Sequence, residues 1–364
     1  MVPDPALVAK AQLAASCAQE PCVRMTPKAS YYYEMGRRLN SLRAAPKVWN
    51  YMKYRCLPKV AKTSVRRYAP QIASLMVTQR CNLNCGYCVA GNVVNKGMGW
   101  RESEATLEKV ERIFSNPLFG NCLLVDFGWG EPLMVDDFEA IVSFLVRRGH
   151  IVNTATNGLL LAERIAGLKR AGISRINVSL YDANRGIIER DLSKINRVFP
   201  VHMSMVLLRS KVEGDQDELL RTAQFIHDAG CRSLRFWIYR PVGVDPRPEE
   251  VIDDALPAYA ELRRRIDGAL PGFCLWPAVV QKGRLSKLCP QLWQRITCDA
   301  LGNMAICCGS DMMLQGPNSN LFDGEPDSVF NHPTLVAMRE QLLDPGCEPP
   351  EICRTCNLLG DPGW

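Results

Sequence analysis

Three thiols stand within the eight residues CNLNCGYC, at Cys81, Cys85 and Cys88, with Tyr87 before the last of them. Structural zinc and ordinary ferredoxin clusters are held by four protein ligands. Three thiolates from one short loop therefore point to a [4Fe-4S] cluster in which one iron is left for a ligand the protein does not supply. A second group is spread more widely: Cys289, then Gly302 after twelve residues, then Cys307 after four more, and later the Cys-x2-Cys pair Cys353 and Cys356. Cys298, Cys308 and Cys347 stand close to this group in sequence, and zinc is the alternative occupant for any four-cysteine set with a Cys-x2-Cys half. The histidines offer no rival metal site, because His150, His202, His227 and His332 are scattered and form no paired motif.

These cysteines need elements to hold them. From about residue 72 to 240, six β-rich runs (ASLMVTQ, CLLVDFG, HIVNTAT, SRINVSL, PVHMSMVLL and SLRFWIY) alternate with segments of helical period, most of which start acidic or polar and end near Gly. Alternating strands and helices predict parallel βα units, either an open doubly wound sheet or an incomplete (β/α) barrel. In either, ligands meet the carboxyl ends of the strands. The triad follows the first run, Gly128-Trp129-Gly130-Glu131-Pro132 the second and Thr156-Asn157-Gly158 the third, so all three converge on one face.

The triad with Tyr87, followed by GWGEP after the second strand, resembles the radical S-adenosylmethionine (SAM) superfamily over about residues 72–240. That resemblance implies a partial (β/α)6 TIM-like barrel and a SAM molecule chelated to the open iron. One-electron reduction would then cleave SAM to methionine and a 5′-deoxyadenosyl radical that takes a hydrogen atom from substrate, the electron arriving from an external donor such as flavodoxin or ferredoxin. The residues suit SAM binding. Gly128 and Gly130 allow close backbone approach, Glu131 can accept from the ammonium or brace its loop, and Pro132 fixes the turn. Tyr87 is placed to stack near the adenine, with Asn157, Ser179 and Arg209 at strand ends as further cofactor contacts.

The C-terminal spacing resembles the auxiliary-cluster extension called SPASM, in its shortened twitch form, because no cysteine follows Cys356. The resemblance implies one auxiliary [4Fe-4S] cluster on Cys289, Cys307, Cys353 and Cys356, with Cys347 or Cys298 able to replace one ligand. The run ITCDALGNMAICCG reads as two short strands about a tight turn in which Gly302 takes positive φ. Cys298 and Cys308 are candidates for donating a hydrogen atom to a substrate radical, as are Cys231 and Cys274, while Tyr239 and Arg240 close the sixth strand as substrate contacts or linker anchors.

The chain divides, on this reading, into a basic and mainly helical extension (1–70), the barrel (71–245), and a linker helix with the auxiliary domain (246–364). Composition is that of a globular protein of 364 residues, 47% hydrophobic and 23% charged, with 16 cysteines. The net charge of +6 is uneven, since residues 1–70 hold 13 Lys and Arg against 3 Asp and Glu and the remainder is net negative. That basic front, interleaved with Tyr and Trp, suits an anionic membrane surface, a phosphorylated substrate or an acidic partner, or else is a solvated extension. No signal peptide, membrane span or recognisable nucleic-acid module is evident, and clustered thiols without one indicate a cytoplasmic protein. The expected activity is dehydrogenation or epimerisation of a hydroxylated small molecule such as a sugar, aminocyclitol or nucleotide sugar. A maturase for a ribosomally made peptide is the alternative enzyme, and an iron-sulfur electron carrier or scaffold is the alternative of another class.

Overall fold

A computed structural model describes residues 43–56, 63–85, 88, 104–240, 247–277, 279, 289–308, 312–354 and 356. Its centre is one parallel sheet. The strands β1 (Ile72–Met76), β2 (Leu124–Phe127), β3 (Ile151–Thr156), β4 (Arg175–Leu180), β5 (His202–Leu207) and β6 (Ser233–Ile238) lie side by side in chain order. A doubly wound sheet reverses its order partway. Here every crossover runs the same way, and right-handed connections then put all the helices on one face. The sheet is therefore the wall of an incomplete barrel, as the family resemblance implied.

Among the helices are α1 (Ala45–Cys56), α2 (Leu107–Ser115), α3 (Phe138–Arg147), α4 (Leu161–Ala171), α5 (Arg185–Val198) and α6 (Gln216–Asp228). Their apolar spacing explains their seats: α2 buries Val110, Ile113 and Phe114, and α3 buries Phe138, Ile141, Val142 and Leu145. Thr106 caps α2 by accepting from Lys109 N at 3.3 Å, and Asp215 caps α6 by accepting from Glu218 N at 2.8 Å. These faces cover the outward residues of the strands, among them Leu75, Val125, Val178, Met203 and Phe236, in one continuous core.

The inward residues alternate with these and are largely polar: Ser74, Asp126, Asn153, Asn177, Ser179, Ser204 and Arg235. Most of the inward residues of β2 to β6 are half-exposed, so this concave face is open where a closed barrel would be packed with branched apolar side chains. Its amino end is closed by α1. Tyr51 packs on Ile72, Leu124 and Ile151, and Asn50 Nδ2 donates to the carbonyls of Ala69 and Pro70 at 3.0 and 3.1 Å. The described part of the basic extension is thus a plug under the barrel, with Trp49 still 65% exposed on its outer side.

The C-terminal segment is woven into the same sheet. The short strand β7 (Cys274–Leu275) continues it beyond β6, and β8 (Arg295–Asp299) pairs in parallel with β1, Met76 opposite Asp299. The expected hairpin is present in reduced form, since Asp299 N donates to Asn303 O at 3.1 Å and Gly302 sits at φ 84. This is a type I turn closed by a left-handed glycine. Among the described residues, no helix is long and apolar enough to cross a membrane.

Candidate functional site

The loop after β1 is fixed before it reaches its cysteines. Val77 O accepts from Ala105 N at 2.7 Å, Arg80 O accepts from Glu131 N at 2.8 Å, and the Arg80 guanidinium pairs with Glu104 and donates to Met134 O at 3.2 Å. The GWGEP loop is laid against it. Trp129 and Gly130 are both left-handed, at φ 65 and 67, and a Cβ on Gly130 would stand 2.2 Å from Thr78 O. Gly130 therefore serves the contact between two protein loops, whereas a Cβ on Gly128 would meet nothing within 4 Å. Of the two glycines, only Gly128 borders open space.

Glu131 is 1% exposed and braces rather than reaches out. Its Oε1 accepts from Leu133 N at 3.0 Å and Thr156 Oγ1 at 2.7 Å, and its Oε2 accepts from Asn157 N at 2.7 Å. Burial raises its pKa above the ordinary carboxylate value, and these three donors pull it back. It also caps the short 3-10 helix Pro132–Met134, whose first position Pro132 occupies.

Asn157 carries the bracing on to the cysteines. Its Nδ2 donates to Asn82 Oδ1 at 2.6 Å and to Cys81 Sγ at 3.7 Å, while its Oδ1 accepts from Leu159 N at 3.1 Å. Asn184, fully buried, donates from Nδ2 to the carbonyls of Asn157 and Ser179 at 2.6 and 2.8 Å and accepts from Tyr181 N at 2.7 Å. Neither Asn82 nor Asn184 was singled out from sequence. Each resembles an ordinary turn or helix-start asparagine, which leaves no signal of a role at a distance.

The three thiols of the first group interact. Burial, then the neighbouring Cys88 and Cys81, push Cys85 up to about 11, and Cys81 is raised chiefly by burial. Cys81 is exposed, whereas Cys85 and Cys88 are half-buried. Cys81, Cys85 and Cys88 leave one loop at the barrel mouth without already standing at metal-holding distance, and Cys81 accepts N–H donors from Leu83 and Asn157, which suits a cluster whose iron charge offsets thiolate repulsion. Tyr87 lies outside the described residues.

The remaining expected contacts divide. Ser179 Oγ lies 3.2 Å from Ser204 Oγ, which also accepts from Asn177 Nδ2 at 2.9 Å, so Ser179 belongs to a hydroxyl and amide patch on the concave wall. Arg235 stands over the Trp237 ring at 5.2 Å on the same wall. Deeper in the barrel, Arg295 pairs with Asp126 at 2.8 Å, and Asn153 donates to Asp126 at 3.0 Å. Arg209 is turned elsewhere: the chain enters the short helix Arg209–Gly214 at that residue, and its Nε pairs with Glu213 at 3.2 Å. Tyr239 is 1% exposed and accepts from Arg247 N at 2.8 Å, which makes it the linker anchor. Cys298 points outward from β8 into the core at 0% exposure, and burial holds its thiol well above the ordinary value. It packs there, away from the concave face where a hydrogen-atom donor would have to stand.

In the second group, Cys289 is pushed up to about 12, first by burial and then by Cys308, with smaller contributions from Cys356 and Cys353. Cys308 is raised by burial and by Cys356, while the Arg295 and Arg240 guanidinium groups oppose the shift. These thiols feel one another's charge, although among the described residues no three of them already stand at metal-holding distance. Cys307 and Cys289 are both half-buried against the main core, and Cys308, next to Cys307, is half-buried as well. Cys347 donates to Asp344 Oδ2 at 3.1 Å. The segment that carries Cys289 and Cys308 is tied to the barrel by the β1–β8 pairing.

Residues 75–256 match the model of the radical SAM superfamily. Among curated relatives, the probable GTP 3',8-cyclase of Methanosarcina mazei is 33% identical over 162 residues, covering 40% of this chain and 48% of that protein. Its counterpart in Aeropyrum pernix is 32% identical over 211 residues, covering 51% and 58%. The chain spans about half the length of the curated relatives it matches. Streptococcus suis SuiB bound to S-adenosylmethionine has a similar fold, with a TM-score of 0.57 at 14% identity over 83% of this chain and 74% of that one. A histidine-tagged form of anSMEcpe with bound AdoMet has a TM-score of 0.54 at 13% identity over 79% and 85%.

Proposed function

The chain belongs to the radical SAM superfamily and takes the [4Fe-4S] cluster and SAM of that family, and from this premise we propose that it abstracts a hydrogen atom from a hydroxylated small molecule, leading to dehydrogenation or epimerisation. The observation that carries this reading is the concave wall. Asn177, Ser179 and Arg235 present amide, hydroxyl and guanidinium groups where a substrate would lie, backed by buried Ser204 and with half-exposed Trp237 as an apolar platform. Such a surface matches a ligand with several hydroxyl groups and an anionic or ring portion.

Reduced by one electron, a cluster with bound SAM supplies the 5′-deoxyadenosyl radical. The chain's own residues hold the parts in register. Cys81, Cys85 and Cys88 would carry the cluster, Glu131 fixes the loop after β2 against the start of the loop after β3, and Gly128 leaves room for the ligand. Ser179, held by buried Ser204, and Asn177 orient substrate hydroxyls so that one C–H bond faces the mouth. Cys289, Cys353 and Cys356 would hold an auxiliary cluster able to accept an electron from substrate. Sequence spacing gives the fourth thiolate to Cys307, and the charge of Cys308 felt at Cys289 makes Cys308 the alternative.

A second reading draws on the relatives, which are named as GTP 3',8-cyclases; the similarity to them covers 40% and 51% of this chain. The test is anaerobic reconstitution followed by iron and sulfide counts, then reduction with SAM and assay for 5′-deoxyadenosine. About eight irons per chain with 5′-deoxyadenosine formed supports both clusters. Formation that rises with hydroxylated small molecules and not with GTP supports the first reading. No cleavage under reducing conditions removes the enzyme reading and leaves an electron carrier or scaffold.

A further inference from the structure

On the reading that the first triad carries the cluster, we infer that Asn157 is a positioning residue for it, one whose side-chain N–H sets the potential at which the cluster accepts its electron. The amide is held in one orientation by its own bonds. Its Oδ1 accepts from Leu159 N at 3.1 Å, which leaves Nδ2 as the group facing the cysteine loop. That nitrogen has two protons and two acceptors, Asn82 Oδ1 at 2.6 Å and Cys81 Sγ at 3.7 Å. The backbone on either side is locked as well, the Asn157 N–H to buried Glu131 at 2.7 Å and its carbonyl to buried Asn184 at 2.6 Å. With 6% of its surface exposed and both amide protons committed, Asn157 is a fixed donor toward sulfur and not a SAM contact.

The consequence is electrostatic. Reducing the cluster adds negative charge that is shared by its thiolate ligands, and an N–H dipole aimed at one of them stabilises the reduced state more than the oxidised one. The loop after β3 would thereby ease reduction of a cluster to which it contributes no ligand.

The test is an EPR-monitored redox titration of the reconstituted full chain, following the signal that changes when SAM is added. Asn157→Asp keeps the acceptor for Leu159 N and replaces the donor. It is expected to lower the reduced-to-oxidised ratio at a fixed potential at least tenfold, a shift of about 59 mV for one electron. Asn82→Ala leaves the Asn157 amide pointing at Cys81 and is expected to leave the potential unchanged or less negative. An unmoved potential in Asn157→Asp overturns the inference, and so does an equal negative shift in both variants, which would mark a merely structural role. Should Asn157→Asp fail to assemble a cluster, 15N-asparagine-labelled wild-type protein is examined in the reduced state for nitrogen hyperfine coupling, whose absence overturns it too. Failure of the underlying site reading looks different: Cys85→Ala would then retain the SAM-sensitive signal.

Discussion

Replacing Glu131 with Gln tests whether the brace at the barrel mouth works as its geometry requires. The two carboxylate oxygens serve different backbone donors, Leu133 N on Oε1 and Asn157 N on Oε2. A glutamine has one acceptor oxygen, so whichever way its amide lies, one buried backbone N–H faces an NH2 group. The Thr156 hydroxyl, which accepts from Gly158 N at 3.0 Å, has a second lone pair that can accept from the new NH2 group, but this leaves the orphaned backbone N–H unserved. Losing one hydrogen bond to a charged acceptor costs about 1.5–3 kcal/mol, and the other two weaken as the charge goes. A net loss of about 3 kcal/mol is therefore expected, a large part of the stability of an ordinary domain. Urea unfolding of the apoprotein at neutral pH measures it, with 5′-deoxyadenosine formation by the reconstituted variant as the functional readout, expected to fall because Asn157 loses its backbone anchor. A change below about 1 kcal/mol with unaltered SAM cleavage would refute the three-donor brace and any coupling through Asn157.

Gly130→Ala should be far more damaging than Gly128→Ala, because only Gly130 combines φ 67 with a neighbouring carbonyl 2.2 Å from the new methyl; thermal unfolding of both variants measures the contrast. His150 is buried, its Nδ1 2.8 Å from Cys122 O, and burial pushes its pKa down to about 3 from 6.5. The unfolded chain then binds the proton first, so stability should fall as pH drops from about 6.5 toward 3, by about 1.4 kcal/mol per pH unit from this group. Buried His202 acts in the same direction. Urea midpoints across that range should slope less steeply in His150→Leu, and parallel slopes would count against the assignment. Cys353→Ala should lower iron toward half while sparing SAM cleavage, as checked by metal analysis beside the 5′-deoxyadenosine assay; unchanged iron would remove the auxiliary cluster.

The barrel strands were legible because apolar alternation is local. Five of the six expected runs contain the observed strand and the first misses only Ile72, and the crossover argument needed only their order. The partner of β8 was not legible, since nothing in RITCD states which edge it will join. The same limit applies at the site. Residue types and spacing placed the cysteine triad and Glu131 together, but Glu131 read equally as ligand or brace until its three donors were seen. Arg209 pairs with Glu213, and of the two roles open to Tyr239 the structure shows the linker contact, for a common reason: a strand end says that a side chain is near the mouth, whereas the following turn decides where it points. Asn184 escaped notice because its partners lie 5 and 27 residues away.

The pairing of β8 with β1 also bears on how the chain is made. Ile72 must wait for Arg295, about 220 residues later, before its outer edge is covered, and at ribosomal rates of about 5–20 residues per second that delay is on the order of ten to forty seconds. During it, β1 presents an unpaired row of backbone donors and acceptors beside a half-built sheet, the kind of edge that recruits strands from other chains. Late closure of this sort is slow because the contact spans so much sequence. Truncations that stop before residue 295 should therefore aggregate, and productive synthesis would favour conditions that shield nascent β1 until its last neighbour emerges.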